Sequence, residues 1–282
     1  MIRNRFTRPA PPFETAPSQG RVRFTFLGTA GFVVASQERT FVLDPYVSRA
    51  GLLRTFFGRL AVDEARVRQL IPAADEVLIG HSHHDHALDG PAVARHTGAR
   101  LLGSAATGHI ATAYGLPRDQ FVEVVPRVPI ACGTACASAW PSRHGKALFG
   151  RVPFPGDIRS PPPWPPRLAH FRHGPVYHWA LELGGMRILH VDSADFIDED
   201  LVEADVLLLC AIGRQYRQGY TRTLVERVKP KVVIPCHWDD FSVPVESMPR
   251  QLPGVDVEGF VEEIRACGAR AVVLAPLQSW WA

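Results

Sequence analysis

The sequence predicts a layered α/β fold, and three observations carry that prediction. Short apolar runs typical of strands recur along the whole chain of 282 residues. In both halves these runs come in groups and are followed by segments whose apolar side chains have helical spacing. Glycine, proline and Asp-Pro steps separate the segments, as they do where strands and helices pack in layers around one core.

The first half of the chain contains seven runs with strand character and three with helical character. Gly28 and Gly31 break the first two strand runs, and the step Asp44-Pro45 ends the third. The strands are predicted at 22–27, 32–35, 40–43, 76–80, 100–103, 121–125 and 135–140, and the helices at 61–69, 91–97 and 105–114.

The second half repeats this alternation after a long irregular segment. Seven prolines between 152 and 166 exclude a helix or a central strand there, so this stretch is predicted to be a loop. Strands are then predicted at 176–183, 187–191, 206–210, 231–236 and 271–274, and helices at 221–228 and 257–267. Residues 1–20 are predicted to be an irregular N-terminal arm, and residues 21–282 to form one domain.

Composition limits the classes of function. The chain has 31 basic and 28 acidic residues, a formal charge of +3 that argues against a nucleic-acid partner. Cys210 and Cys236 lie in apolar runs and are predicted to be buried thiols in a reducing compartment. We find neither an apolar signal segment near the start nor a run long enough to span a membrane, so a cytoplasmic location is expected.

The strongest functional signal is the run His81-Ser82-His83-His84-Asp85-His86, directly after a predicted strand. Imidazole and carboxylate together suit Zn, Mn or Fe. A loop at the end of a strand can bring several ligands to one point, but six residues cannot complete the coordination of two ions. His144, Asp192 and His237 each lie just past another apolar run and are candidates for the remaining ligands. His84 is expected to face outward.

These motifs, in this order, resemble those of the metallo-β-lactamase fold superfamily of hydrolases, over about residues 22–274. The resemblance implies a four-layered αββα sandwich with a dinuclear metal site at one edge. It places His81, His83 and His144 on the first ion, Asp85, His86 and His237 on the second, and Asp192 between both. Asp44 would support the ligands. Two departures are Val191-Asp192 where Gly-Asp is usual, and CHWDDF around His237.

The resemblance further implies the chemistry. Two divalent ions, zinc first and manganese or iron as alternatives, would form a bridging hydroxide that attacks a phosphoryl or acyl centre. Asp85 and Asp192 are the predicted catalytic carboxylates. Within the superfamily the pattern is most similar to the branch of ascorbate-6-phosphate lactonases and N-acylphosphatidylethanolamine phospholipases, which favours a phosphodiester, lactone or other ester.

The predicted partner is a small anionic molecule with an apolar part. The proline-rich loop and the aromatic residues around it would form an apolar wall, and basic residues beside His144 would meet the anionic group. The wall residues are Phe149, Phe154, Trp164 and Phe171, and the basic residues are Arg143, Lys146 and Arg151.

Several alternatives stay open at this point. An iron-dependent oxidoreductase of the same fold and a non-catalytic metal-binding protein are the other functions considered. His170, His173 and His178 are expected at the surface, with substrate contact as the second interpretation. Asp239 and Asp240 either orient His237 or donate a proton, or they cap a turn.

Overall fold

The structure, a computed structural model, describes residues 13 and 20–282, so nearly all of the predicted arm at 1–20 lies outside the described residues. Two seven-stranded sheets form the centre of the molecule. The first sheet contains β1 (Arg23–Gly28), β2 (Gly31–Ala35), β3 (Thr40–Leu43), β4 (Glu76–Leu78), β5 (Arg100–Gly103) and β6 (Phe121–Glu123) in this order, with β14 (Ser279–Trp281) beside β1. The second contains β7 (Ile130–Cys132), β8 (Ala135–Ser142), β9 (Val176–Leu183), β10 (Met186–Val191), β11 (Val206–Cys210), β12 (Val232–Cys236) and β13 (Arg270–Ala271), again in this order.

Helices cover the outer faces of the sheets and connect their strands. They are α1 (Leu52–Phe57), α2 (Glu64–Leu70), α3 (His84–Ala87), α4 (Gly90–Thr97), α5 (Ala105–Tyr114), α6 (Tyr220–Val228) and α7 (Val257–Ala266). Single 3-10 turns lie at Arg118–Gln120, Leu148–Gly150, Leu168–His170, Asp198–Asp200 and Arg214–Tyr216. Within the described residues, we find no helix with the length and apolarity needed to cross a bilayer.

Alternation along the strands divides the apolar side chains between two clusters. Phe41 and Leu43 of β3 point into the space between the sheets, where they join Trp179 of β9. Val42, between them in sequence, points to the opposite face and packs with Val67 of α2 and its neighbours on α4 and α5. The layers are therefore helix, sheet, sheet and helix, which is the four-layered αββα architecture that the resemblance implied.

Parallel pairing brings the functional loops to one edge. β3 and β4 are parallel, and β10, β11 and β12 are parallel. The residues that follow the carboxyl ends of these strands include Asp44, His81, Asp192 and His237, and such ends are where open α/β sheets bind ligands.

Most predicted elements are present with ends shifted by a few residues, and 152–166 contains neither helix nor strand. Four of the helices and strands were not predicted: α1, α3, β7 and β14. Trp280 of β14 is buried and packs on Phe24 with ring centroids 5.7 Å apart. This tryptophan therefore holds the edge strand β14 against β1.

Candidate metal centre

The His-rich run follows β4, and Gly80 at its start lies close to the loop that contains Asp192. A Cβ atom on Gly80 would lie 2.2 Å from Asp192 Oδ2, so a larger residue there would displace that carboxylate. The Gly80 carbonyl accepts a hydrogen bond from Tyr177 N, and Ser82 N donates to the His173 carbonyl. The second sheet thereby holds the start of the run, and His81 is 1% exposed.

The first group of candidate ligands is His81, His83 and His144. His81 Nε2 and His83 Nδ1 are 3.1 Å apart. The spacing expected for two nitrogens bound tetrahedrally to one ion at 2.0–2.1 Å is about 3.3 Å. The His144 ring lies 4.7 Å from that of His81 and 4.6 Å from that of His83, measured between centroids. His144 Nδ1 donates to the Gly145 carbonyl at 2.7 Å, which leaves the Nε2 lone pair free to bind a metal.

The second group is Asp85, His86 and His237. Asp85 Oδ2 lies 3.9 Å from His86 Nε2 and 3.4 Å from His237 Nε2. His86 Nδ1 donates to Asp44 Oδ2 at 3.0 Å, so its Nε2 lone pair faces the group. Asp44 is itself fixed by the Gly80 N–H at 2.7 Å, and it is the expected supporting residue.

Asp192 lies between the two groups. Its Oδ2 atom accepts from His81 Nδ1 at 2.6 Å and lies 3.6 Å from His86 Nδ1. The structure thus brings together all seven residues that the sequence singled out. Their donor atoms lie within 4.8 Å of one another in three sets: His81, His83 and His144; His81, His86 and Asp192; and Asp85, His86 and His237.

Burial controls the protonation of the histidines. Burial and the neighbouring His144 and His83 hold the pKa of His81 well below its usual value. Burial, followed by the effect of His144, lowers the pKa of His83 to about 3. Neutral imidazole is the form that binds a metal. For Asp85 burial acts to raise the pKa, but His84 and His86 outweigh it and hold the pKa well below the usual range.

Unpaired polar atoms test whether a metal fits this centre. Asp192 Oδ1 and His83 Nε2 are buried and have no hydrogen-bond partner among the described residues. Leaving such atoms unpaired costs about 1–3 kcal/mol each. Uncharged imidazoles beside the ionised Asp85, together with buried polar atoms that lack a partner, fit divalent cations.

A buried ion pair supports the end of β12. Arg49 Nη2 contacts Asp239 Oδ2 at 2.6 Å, and both side chains are 2% exposed. Asp239 Oδ1 accepts from Thr29 N at 2.7 Å, and the Thr29 carbonyl accepts from His237 N at 2.5 Å. His237 has φ 54°, a backbone conformation that costs free energy for a residue with a side chain. Asp239 therefore supports the His237 loop.

Asp240 instead fits the turn interpretation, since its Oδ1 accepts from Ser242 N and Oγ at 3.0 and 2.6 Å. Arg49 was missed by sequence reasoning. It lies 190 positions from Asp239, and no local pattern connects the two residues.

The prediction that His84 faces outward is wrong. His84 is 9% exposed, and its ring packs edge-on between Tyr46 at 5.5 Å and Phe171 at 6.1 Å. The helical turn α3 is the reason. It directs Asp85 and His86 to the candidate metal centre and leaves His84 packed against the hydrophobic core.

The surface prediction is also wrong for His178. This residue is fully buried in β9, and its Nε2 lies 2.7 Å from Ser142 Oγ of β8. Because its neighbour Trp179 points between the sheets, His178 lies on the opposite face of the second sheet, where it is covered beside β8, the strand that leads to His144. His173 is half-buried and stacks on His144, with centroids 5.7 Å apart.

The predicted apolar wall is only partly present. Phe154 is 37% exposed and lies 6.4 Å from the ring of His83, and Phe149 is almost fully exposed. Phe171 is instead buried, and Trp164 packs on Tyr114 of α5. The side chains of Arg143, Lys146 and Arg151 are exposed around the His144 loop.

Comparison with known sequences supports this picture. No protein-family model matches the chain. A protein of Carboxydothermus hydrogenoformans is 27% identical over 267 residues, covering 90% of this chain and 97% of the relative. One from Symbiobacterium thermophilum is 28% identical over 274 residues, covering 92% and 99%. Both are named UPF0173 metal-dependent hydrolases.

Solved structures show the same fold. Igni18, a metallo hydrolase of Ignicoccus hospitalis, superposes with a TM-score of 0.61 at 17% identity, over 92% of this chain and 97% of its own. YhfI of Bacillus subtilis, a metallo-β-lactamase fold protein, gives 0.57 at 14% identity over 92% and 98%. CmlA of Streptomyces venezuelae, a diiron β-hydroxylase, gives 0.60 at 18% identity over 94% of this chain and 55% of its own. The chain therefore has the metallo-β-lactamase fold, and its relatives in sequence are named metal-dependent hydrolases.

Proposed function

We propose that the chain is a hydrolase that works with two divalent ions, zinc first and manganese or iron as alternatives. The observation that carries this proposal is the arrangement of two ligand groups around one shared carboxylate, Asp192, which contacts His81 and lies beside His86. Two-ion sites with a shared carboxylate suit the cleavage of ester bonds by water.

Held by these residues, two such ions would lower the pKa of a bound water and polarise the bond to be cleaved. The chain's own residues prepare the site. Asp44 holds His86, and the Gly145 carbonyl holds His144, so that each ring keeps a free nitrogen lone pair. Asp85 stays ionised because of the neighbouring histidines, and Asp85 and Asp192 supply the negative charge that balances the cations and orients the attacking water.

The proposed substrate is a phosphodiester, lactone or other ester with an anionic group and an apolar part. Phe154 stands beside His83 and Phe149 is exposed on the same loop, so an apolar group has a surface next to the centre. Arg143, Lys146 and Arg151 surround His144 and can pair with an anion. We propose no nucleic-acid substrate, because the overall charge is only +3.

Substitution of single ligands tests the proposal. His83→Ala and Asp192→Ala should each lower the turnover of generic phosphodiesters and lactones at least a hundredfold, while the half-buried His109 of α5 provides the control His109→Ala. Elemental analysis should find two ions per chain in the wild type and fewer in Asp192→Ala. Unchanged turnover in both ligand variants refutes the assignment.

An iron-dependent oxidoreductase is the second candidate, because the same histidines and carboxylates also suit iron. A colourless protein with zinc or manganese supports hydrolysis, and an absorption band that depends on bound iron supports redox chemistry. A non-catalytic protein would bind metal without turning over any ester. We also propose a cytoplasmic location, supported by five cysteines that are all free.

A further inference from the structure

The short helix α1 exposes its apolar side chains and buries a polar one. Leu52, Leu53, Phe56 and Phe57 are 60, 79, 59 and 77% exposed, and we refer to these four residues as the α1 patch. Thr55 is the buried residue of the helix. A surface helix normally has the reverse orientation, with its apolar side chains against the core. Folding of the domain therefore does not account for the α1 patch.

Polar contacts, not apolar packing, hold α1 in place. Thr55 Oγ1 donates to the Ala50 carbonyl at 3.0 Å, and Arg54 Nε donates to the Arg59 carbonyl at 3.1 Å. Arg59 Nη1 then donates to the Pro165 carbonyl at 2.9 Å, which ties the helix to the proline-rich loop. An isolated helix of six residues is not stable in water, so these contacts present the α1 patch in a defined orientation.

The surroundings of the patch are cationic. Residues 45–62 include three arginines and no acidic residue, but Arg49 is buried and paired with Asp239, which leaves the exposed Arg54 and Arg59 beside the patch. Residues 143–175 include six basic residues and one acidic residue. Without Arg49, these two segments hold eight of the 31 basic residues of the chain and one of its 28 acidic residues. The loop contacts the end of α1 through Arg59 Nη1 on the Pro165 carbonyl and Leu60 N on the Pro166 carbonyl, and Arg167 follows directly. The exposed cations beside the patch are therefore Arg54, Arg59 and Arg167.

The α1 patch stands on the rim of the metal centre. Tyr46, three residues past the end of β3, packs on His84 and on Phe241, with centroids 5.5 and 6.3 Å apart. Phe241 in turn packs on His237 at 5.5 Å. A Cβ atom on Gly51, which precedes α1, would lie 4.0 Å from the Ser242 carbonyl oxygen. A surface that covers the patch would therefore lie next to the candidate ligands.

We propose that the α1 patch docks this rim onto an anionic lipid surface. Exposed leucine and phenylalanine side chains enter the boundary between headgroups and acyl chains, and the arginines around them are attracted by anionic headgroups. A second copy of the chain is disfavoured as the occupant, because a symmetric dimer would bring two cationic rims against each other. The partner follows from this pairing of apolar and cationic side chains, independently of the proposed hydrolysis.

Vesicle cosedimentation of the full chain tests the proposal. The wild type should bind vesicles of phosphatidylcholine with phosphatidylglycerol, bind vesicles of phosphatidylcholine alone at least tenfold less, and be released by 0.5 M salt. The variant Leu53→Ser/Phe57→Ser should bind the anionic vesicles at least tenfold less than the wild type. The control is Val125→Ser/Val128→Ser, which changes two apolar residues of the turn before β7 that are 64 and 49% exposed, and it should bind as the wild type does.

Three results would overturn the proposal: no binding of the wild type to anionic vesicles, equal binding of the Leu53→Ser/Phe57→Ser variant, or equal binding to neutral vesicles. Light scattering on the same samples tests whether a second copy of the chain covers the α1 patch instead. A wild-type oligomer that Leu53→Ser/Phe57→Ser separates into single chains would show that a second copy covers the patch. Vesicle binding needs no turnover, so its failure leaves the proposed hydrolysis untouched.

Discussion

The two ligand groups of the centre lie side by side, but the chain around them supports them differently. On one flank, His144 bonds to the carbonyl of its own neighbour, Gly145, in a loop whose other side chains are largely exposed. On the other flank, Asp44 holds His86, and the Arg49–Asp239 pair holds the loop of His237. The difference separates a braced flank, which a buried ion pair holds in place, from an open flank whose loop side chains are largely exposed.

Breaking the Arg49–Asp239 ion pair should cause the largest loss of stability. Arg49→Met removes one partner of an ion pair whose side chains are both 2% exposed, and it leaves Asp239 charged and buried. Such a loss costs about 3–5 kcal/mol, and urea unfolding of the metal-free protein measures it. The His237 loop should loosen at the same time.

The matched control is Arg39→Met, which removes an arginine that pairs with Asp75 at 3.0 Å, where the side chains are 32 and 36% exposed. A surface pair of this kind contributes about 0–1 kcal/mol. Equal losses in the two variants would show that the Arg49–Asp239 pair does not brace the site.

The open flank also contains a buried histidine, His178, whose contribution to stability should depend on pH. Burial lowers the pKa of His178 from 6.5 to about 4, because a charged ring in β9 would lose its solvation. The unfolded chain then binds more protons than the folded chain between these values. Stability that is present above pH 6.5 is lost as the pH falls towards 4, by about 3 kcal/mol from this residue.

The measurement compares the free energy of unfolding of the wild type and of His178→Gln at pH 7 and pH 4. The difference between the two proteins should change by about 3 kcal/mol across this range. His109→Gln, at a half-buried position on α5, should follow the wild type. If His178→Gln also follows the wild type, β8 is not supported by a neutral buried ring.

The two flanks also differ in how far the sequence predicts them. Asp192 and His237 could be placed because each follows an apolar run, and parallel strands bring such ends to one edge. The Arg49–Asp239 ion pair could not be predicted, because the two residues are distant in sequence and meet only through the fold. Sequence patterns describe the local structure of a strand end, and a contact between two loops leaves no periodic signal.

Orientation was the other quantity that the sequence did not predict. His84 lies in a run of six mostly polar residues, so its inward position depends on the turn α3 and on the space between Tyr46 and Phe171. Helix α1 was missed for a related reason. Its apolar residues do not face the core, and periodicity indicates a helix only when one of its faces is buried.

The shared carboxylate joins the two flanks, and Gly80→Ala tests it with the smallest change. The added methyl would lie 2.2 Å from Asp192 Oδ2, so the carboxylate has to move away from His81 and His86. We expect a loss of about 1–3 kcal/mol in stability, as for other overpacked sites, and about a tenfold fall in turnover. Gly51→Ala is the control, because its methyl would meet no atom closer than 4.0 Å and should cost less than about 0.5 kcal/mol. Turnover and bound metal should fall together in Gly80→Ala, because a displaced Asp192 would weaken the binding of both proposed ions. A loss of stability with metal content and turnover intact would mean that the two flanks work without a shared ligand.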